Sequence, residues 1–248
     1  MNLLINAFNL ILYQPLFNAL VFLYQILPGR DFGLAVILLT FFIRLALYPL
    51  MAQSVRSQKI LADLQPKIQE VQQKYKDDKE KQARVMIELY QKEKINPFGG
   101  IFSLLIQLPI LIALYQVFWR GLRPEEMNSL YSFVSNPGTI DPVFLGLINL
   151  SQASLFLALL AGVAQFVQSK MMMPGTSYQR NLGAGQNQKQ GQMSQFSNML
   201  QKQMLYFFPV LTVFILWKLP AAIGLYWIVT SLFSILQQYF VLKPKHAQ

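Results

Sequence analysis

One arginine stands alone in the stretch LTFFIRLALYPL, residues 39 to 50, inside an apolar run from Phe32 to Ala52. A guanidinium keeps its proton in proteins, so neutralisation cannot relieve the cost of placing Arg44 in hydrocarbon. Thr40 lies one turn earlier, at i−4, on the same helix face. Later apolar runs carry further polar side chains: Gln107 beside Pro109, Gln165 and Gln168, then Thr230, Ser231, Ser234, Gln237 and Gln238 after the aromatic pair Tyr226 and Trp227. Taken singly, Ser, Thr and Gln are common hydrogen-bonding glue between membrane helices. Arg44 can also snorkel, since it stands about 10 Å from the helix end at Met51. No Asp or Glu occurs in any of the apolar runs to pair with it. A cation at that depth without a carboxylate needs water, which points to a hydrated, electropositive cavity entered from the cytosol. Such a cavity attracts acidic or polar segments rather than cations.

Other chemistries are excluded by composition. The chain has no cysteine, which removes disulfides, thiolate metal sites and Cys nucleophiles. Its single histidine, His246, is near the end of the sequence, so schemes that need a buried His base have nothing to work with. Neither enzyme chemistry nor a cofactor or metal is expected. The 248 residues are 54% hydrophobic and 13% charged, against about 25% charged in a typical soluble domain. This is the composition of a membrane protein.

The elements that must hold these polar groups are five apolar segments, expected at 30–52, 99–119, 144–167, 205–219 and 221–242. A full span needs about 20 residues, and the fourth segment falls short of that. Only Pro220 separates it from the fifth, so the two read as a tight hairpin that requires thinned bilayer or a shielded end. Residues 1–29 show neither a basic leader region nor a cleavage site. Asn2, Asn6, Asn9, Gln14, Pro15, Asn18 and Gln25 interrupt this stretch, which predicts an external, interfacial amphipathic helix. Residues 53–98 carry ten basic and seven acidic side chains. Ile60, Leu64, Ile68 and Val71, then Val85, Met86 and Leu89, recur at helical spacing there. Two antiparallel helices with a turn at Asp77–Asp78 are expected, with solvated faces rather than a nucleic-acid patch.

Residues 120–143 read as an external loop, 168–204 as a flexible Gly- and Gln-rich cytosolic loop, and 243–248 as a cytosolic tail. Sixteen basic residues fall on the side of the 53–98 stretch, the 168–204 loop and the tail, against four on the other side. The N-terminus is therefore expected outside and the C-terminus in the cytosol of a bacterial inner membrane. The fold class is an all-α polytopic membrane protein with five transmembrane helices, an external amphipathic N-terminal helix and a cytosolic helical hairpin. No internal repeat supports a secondary-transporter architecture.

Several stretches, in this order, resemble the YidC/Oxa/Alb family of membrane protein insertases. They are LTFFIRLALYPL, then LQPKIQEVQQKYKDDKEKQARVMIELYQKEKINPFGG running into LLIQLPILIALYQVF, then LAGVAQFVQSKMM, and LPAAIGLYWIVTSLFSILQQYFV. The match in order and spacing runs from about Tyr13 to Leu242. The resemblance implies a hydrophilic groove open to cytosol and lipid but closed to the outside. It places the family's groove arginine on Arg44 and the neighbouring threonine on Thr40. It places the groove glutamine on Gln165 and the groove aromatic on Trp227, with Tyr226 beside it. Nascent membrane proteins are the implied clients, with the lipid bilayer, the Sec translocon and the ribosome as further partners. The chain departs from many family members in having no large periplasmic domain with an extra span before it, and no lipobox cysteine. The family's basic C-terminal extension is reduced to KPKHAQ, which argues against ribosome docking through the tail. The alternatives from other classes are an anion or solute transporter or channel with Arg44 as its binding charge, and a scaffold acting through its cytosolic hairpin.

Overall fold

The computed structural model describes residues 2–93, 99–172 and 205–242. Almost everything in these residues is helical. The chain starts with α1 (Asn2–Phe8), a π-helical turn at Asn9–Tyr13 and α2 (Gln14–Ile26). Pro15 does not break this run, because it occupies the first turn of α2, where its missing N–H costs least. Gln14, Asn18 and Gln25 share an edge of α2 rather than interrupting it. From that edge they bind the connection between the later helices. Gln14 Nε2 and Asn18 Nδ2 both donate to the Ser129 carbonyl at 3.2 Å, and Tyr131 N donates to Asn18 Oδ1 at 2.6 Å. Gln25 donates to the Ser135 carbonyl. Leu3–Ile26 is long and apolar enough to cross a membrane, so the polar residues do not by themselves force it to the surface.

A turn through Gly29, at φ 73°, leads into α3 (Phe32–Ala46). Asp31 caps α3 by accepting from Leu34 N at 2.8 Å, and its second oxygen accepts from Leu145 N at 2.6 Å. The expected first span, 30–52, is not one rod. α3 stops at Ala46, and α4 (Tyr48–Lys74) leaves at 69° to it. Pro49 explains the break, since it offers no N–H and its ring excludes the carbonyl four residues back. The expected hairpin therefore begins at Tyr48 rather than at 53. It turns back at Asp78, whose side chain accepts from Lys81 N at 2.9 Å, into α5 (Lys79–Lys92). Leu64 and Ile68 of α4 pack with Met86, Leu89 and Tyr90 of α5 in a small core of their own.

α6 (Gly99–Arg120) follows, and the chain then crosses a 3-10 turn at Pro124–Ser129. The expected third span, 144–167, starts too early. Val143–Phe144 and Ile148–Asn149, here β1 and β2, form a minimal antiparallel hairpin closed by Leu145 and Gly146, both at positive φ. Asn149 and Ser151 then bond locally, Ser151 N to Asn149 Oδ1 at 2.9 Å, as such residues do when they compete with a helix. α7 (Leu155–Met171) begins only after the Ser154 cap. The extra residues have a use: the carbonyls of Gln152 and Leu150 accept from Ala221 N and Ala222 N, at 2.8 and 3.0 Å. They thereby satisfy orphan donors at the start of the last helix. The expected loop at 168–204 lies outside the described residues from 173 onwards, as does the tail at 243–248. α8 (Leu205–Leu216) and α9 (Ala221–Leu242) form the last hairpin, α8 being three residues shorter than the expected 205–219.

The core collects Phe17, Leu20 and Val21 of α2, Val36 and Leu39 of α3, Val117 and Phe118 of α6, Ala161 of α7, and Ile223 and Tyr226 of α9. The outward faces of several helices stay apolar, with Leu108, Val163, Phe214 and Phe240 all exposed. Apolar surface on that scale suits lipid, not water. Among the described residues, Leu3–Ile26 and Ala221–Leu242 satisfy the length and composition of a span, and α3 with α4 makes a third if the bent pair is one crossing. Leu105–Arg120, Leu155–Met171 and Leu205–Leu216 are shorter apolar helices.

Candidate functional site

Five helices enclose a cleft of about 250 Å³. α3 supplies Arg44. α4 supplies Met51, Ser54, Val55 and Gln58, and α6 supplies Gln107. Gln165, Gln168 and Ser169 come from α7, and Trp227, Thr230, Ser231, Ser234, Gln237 and Gln238 from α9. The bend after Ala46 makes this enclosure possible, because a straight first helix would carry Ser54 and Gln58 away from Arg44. Gln237 Nε2 holds the bend by donating to the Tyr48 carbonyl at 3.0 Å. Phe233 adds edge contacts to Phe41 and Tyr48 on either side of the break.

Arg44 is the one charged residue of the lining, and it is 7% exposed. The ion pairs among the described residues are Lys59–Asp63 and Lys67–Glu93, so its charge has no carboxylate partner there. Its surroundings are amides and hydroxyls. Gln238 Oε1 is buried there without a hydrogen-bond partner among the described residues, and the Thr230 hydroxyl lies beside that of Tyr226. Buried polar atoms of this kind are costly unless water or a ligand meets them. No cluster of three or more His, Cys, Asp or Glu occurs among the described residues, and a metal cation would meet the repulsion of Arg44.

The five residues anticipated from the sequence divide into wall and backing. Arg44, Gln165 and Trp227 line the cleft together. Thr40 and Tyr226 are each 1% exposed and stand outside the lining. The Thr40 hydroxyl donates to the Val36 carbonyl of its own helix at 2.6 Å. The Tyr226 hydroxyl accepts from Gln107 Nε2, which joins α6 to α9 behind the arginine. Gln165 Oε1 accepts twice, from Trp227 Nε1 at 2.7 Å and from Thr212 Oγ1 at 2.7 Å. The α4 residues of the lining were not anticipated. Their signal is the Tyr48–Pro49 pair, which announces a helix break, followed by Ser54 and Gln58 at i, i+4.

Comparison with known proteins adds the following. Residues 22–248 match the family described as 60Kd inner membrane protein. A protein of Fusobacterium nucleatum named membrane protein insertase YidC is 32% identical over 213 residues, covering 86% of this chain and 87% of that protein. Membrane protein insertase MisCA of Bacillus subtilis is 34% identical over 222 residues, covering 88% of this chain and 73% of that one. A crystal structure of active YidC insertase with its first transmembrane domain resolved superposes with a TM-score of 0.53 at 25% identity. That match takes in 95% of this chain but only 47% of the solved one, so the chain spans about half its length.

Proposed function

The chain belongs to the 60Kd inner membrane protein family, and from that membership we infer that it is a membrane protein insertase of the inner membrane, acting without covalent chemistry. One observation carries the mechanism: a buried arginine with no carboxylate partner among the described residues lines a cleft otherwise made of amides, hydroxyls and a few apolar side chains. A permanent partner would neutralise Arg44, whereas a passing acidic or polar segment can use it and leave. The cleft lowers the cost of bringing the short translocated tail of a nascent membrane protein part-way across the bilayer. The tail is held by Arg44 while its apolar segment moves into lipid along α7 and α9.

In this reading α3, α6, α7, α8 and α9 are the five spans, and α1 and α2 belong to the outer side. Support for that side comes from the sixteen-to-four distribution of basic residues and from the α2 edge that binds the 120–143 connection. The short α8 favours thinned bilayer beside the cleft, which shortens the polar path. The α4–α5 hairpin is the cytosolic point of capture for clients, and a docking element for the Sec translocon or the ribosome. The transporter alternative gains nothing from the relatives' names.

The test is photo-crosslinking from position 227 and from α7 to a ribosome-stalled nascent membrane protein. Adducts at both positions are expected, with fewer when Arg44→Ala is added for a client with an acidic tail. Absence of adducts from either position, with the protein present at normal levels, would overturn the assignment of the cleft.

A further inference from the structure

We propose that Gln165 is a positioning residue that latches α8 and α9 onto α7 and fixes the Trp227 indole as a wall of the cleft, rather than a contact residue for the passing client. An indole N–H can only donate, and the Thr212 hydroxyl donates to the same atom, so the Gln165 atom between them is its carbonyl oxygen. Both acceptor directions of that oxygen are thereby occupied, at 2.7 Å each. One side chain joins three helices at one point.

The packing around this point is built for it. Gly162, one turn before Gln165, has no Cβ, and a Cβ there would collide with Val213 and stand 3.2 Å from the Pro209 carbonyl. That lets α8 approach α7 closely enough for Thr212 to reach Gln165. Phe166 packs against Tyr206 with the rings tilted by 35° at a centroid distance of 5.8 Å and extends the same seam. On the other side, Leu157 meets Gly224 of α9 near the outer end of the helix pair. Between lipid-facing helices such interhelical bonds are individually weak, enough to bias a wall and weak enough to open.

The inference rests on the cleft being the working site, but its primary measurement does not. In the wild-type chain reconstituted in nanodiscs, the indole N–H of Trp227 should exchange slowly with water although the residue lines a hydrated cleft. Exchange as fast as that of an open indole would overturn the latch. With Trp119→Phe and Trp217→Phe as background, Gln165→Met keeps length and removes the acceptor. It should speed indole exchange, while Gln165→Glu, which keeps acceptor oxygens, retains the slow exchange. In client insertion, the losses caused by Gln165→Met and Trp227→Phe should not multiply, the double variant being no worse than the poorer single one. Multiplying losses, or unchanged exchange in Gln165→Met, would show that the two residues act separately. Slow exchange in a chain that fails to crosslink any client would leave the latch standing and remove the insertase reading of the cleft instead.

Discussion

A buried guanidinium without a carboxylate partner among the described residues is a cost that the fold carries all the time. Arg44 is 7% exposed, and the other residues of the cleft lining are all uncharged, so its desolvation is only partly repaid. Replacement by an apolar side chain of similar length should therefore stabilise the protein while impairing it, the usual trade at a working site. Arg44→Met is expected to raise the thermal midpoint in detergent, by an amount equivalent to about 1–3 kcal/mol. In the same variant, insertion of clients with acidic translocated tails should fall about tenfold, since a carboxylate near a guanidinium in a half-wet medium gains on the order of 1–4 kcal/mol. Clients with neutral tails should lose much less. A lower midpoint would mean that Arg44 is a structural tie after all. At this scale the sequence was informative where physics left few choices. The lone Arg without any intramembrane acid was legible in this way, whereas Gln165 and Trp227, which line the cleft with it, were singled out by the family resemblance. Thr40 and Tyr226 do not line it, because a Thr can satisfy itself on the carbonyl four residues back, and the phase of a Tyr on a helix buried on several sides is not written in its spacing.

Elements were legible by their apolar runs, and misjudged where a local signal outranked hydropathy. Pro49 ends α3 inside a run that reads as continuous, and Asn149, Ser151 and Ser154 hold back α7 although Phe144 and its neighbours are apolar. Contacts between elements were invisible to periodicity, and Gly162 is the sharpest case. Gly162→Leu puts a branched side chain into Val213 and should wedge α8 off α7, destabilising by about 1–3 kcal/mol. Thermal unfolding in detergent reads this, and Gly29→Ala, at a turn with open space around it, is the comparison for backbone strain alone. The hairpin offers a pH test. Lys67 donates to Glu93 Oε1 at 2.8 Å and holds that carboxyl below the usual glutamate range. A depressed folded pKa contributes stability that is complete above the ordinary value of about 4.3 and is lost as pH falls through the lower folded value. Protection of the backbone amides of α4 and α5, taken relative to intrinsic exchange at the same pH, should fall slightly in that acidic window, as expected of an exposed pair, and Glu93→Gln should remove this part of the pH dependence.

At the scale of the whole molecule, two asymmetries coincide. Basic residues crowd the α4–α5 hairpin, and α2 is fastened by polar bonds to the connection that follows α6. Tyr13 donating to Glu126 at 2.8 Å and Asp141 N donating to Tyr24 at 3.1 Å complete that fastening. A cleft for moving tails must be closed at one end to keep the bilayer sealed, and in the proposed topology these bonds tie the elements at that end together. In the proposed topology, which rests on the positive-inside bias, the fastened end faces outward. Since the chain has no cysteine, single cysteines report this without background. Phe133→Cys and Leu147→Cys, both well exposed, should react with a membrane-impermeant maleimide in intact cells. Asp78→Cys, at the tip of the hairpin, should react only after the membrane is opened. The reverse pattern would invert the topology and make the cleft an entry from the outside, which no insertion of newly made chains could use. Labelling of all three from one side would dismiss the spans themselves. If the expected pattern holds, Asn6→Cys decides the remaining geometry. Reaction in intact cells puts the start of the N-terminal helix on the outer surface, whereas reaction only after opening turns Leu3–Ile26 into a crossing of its own.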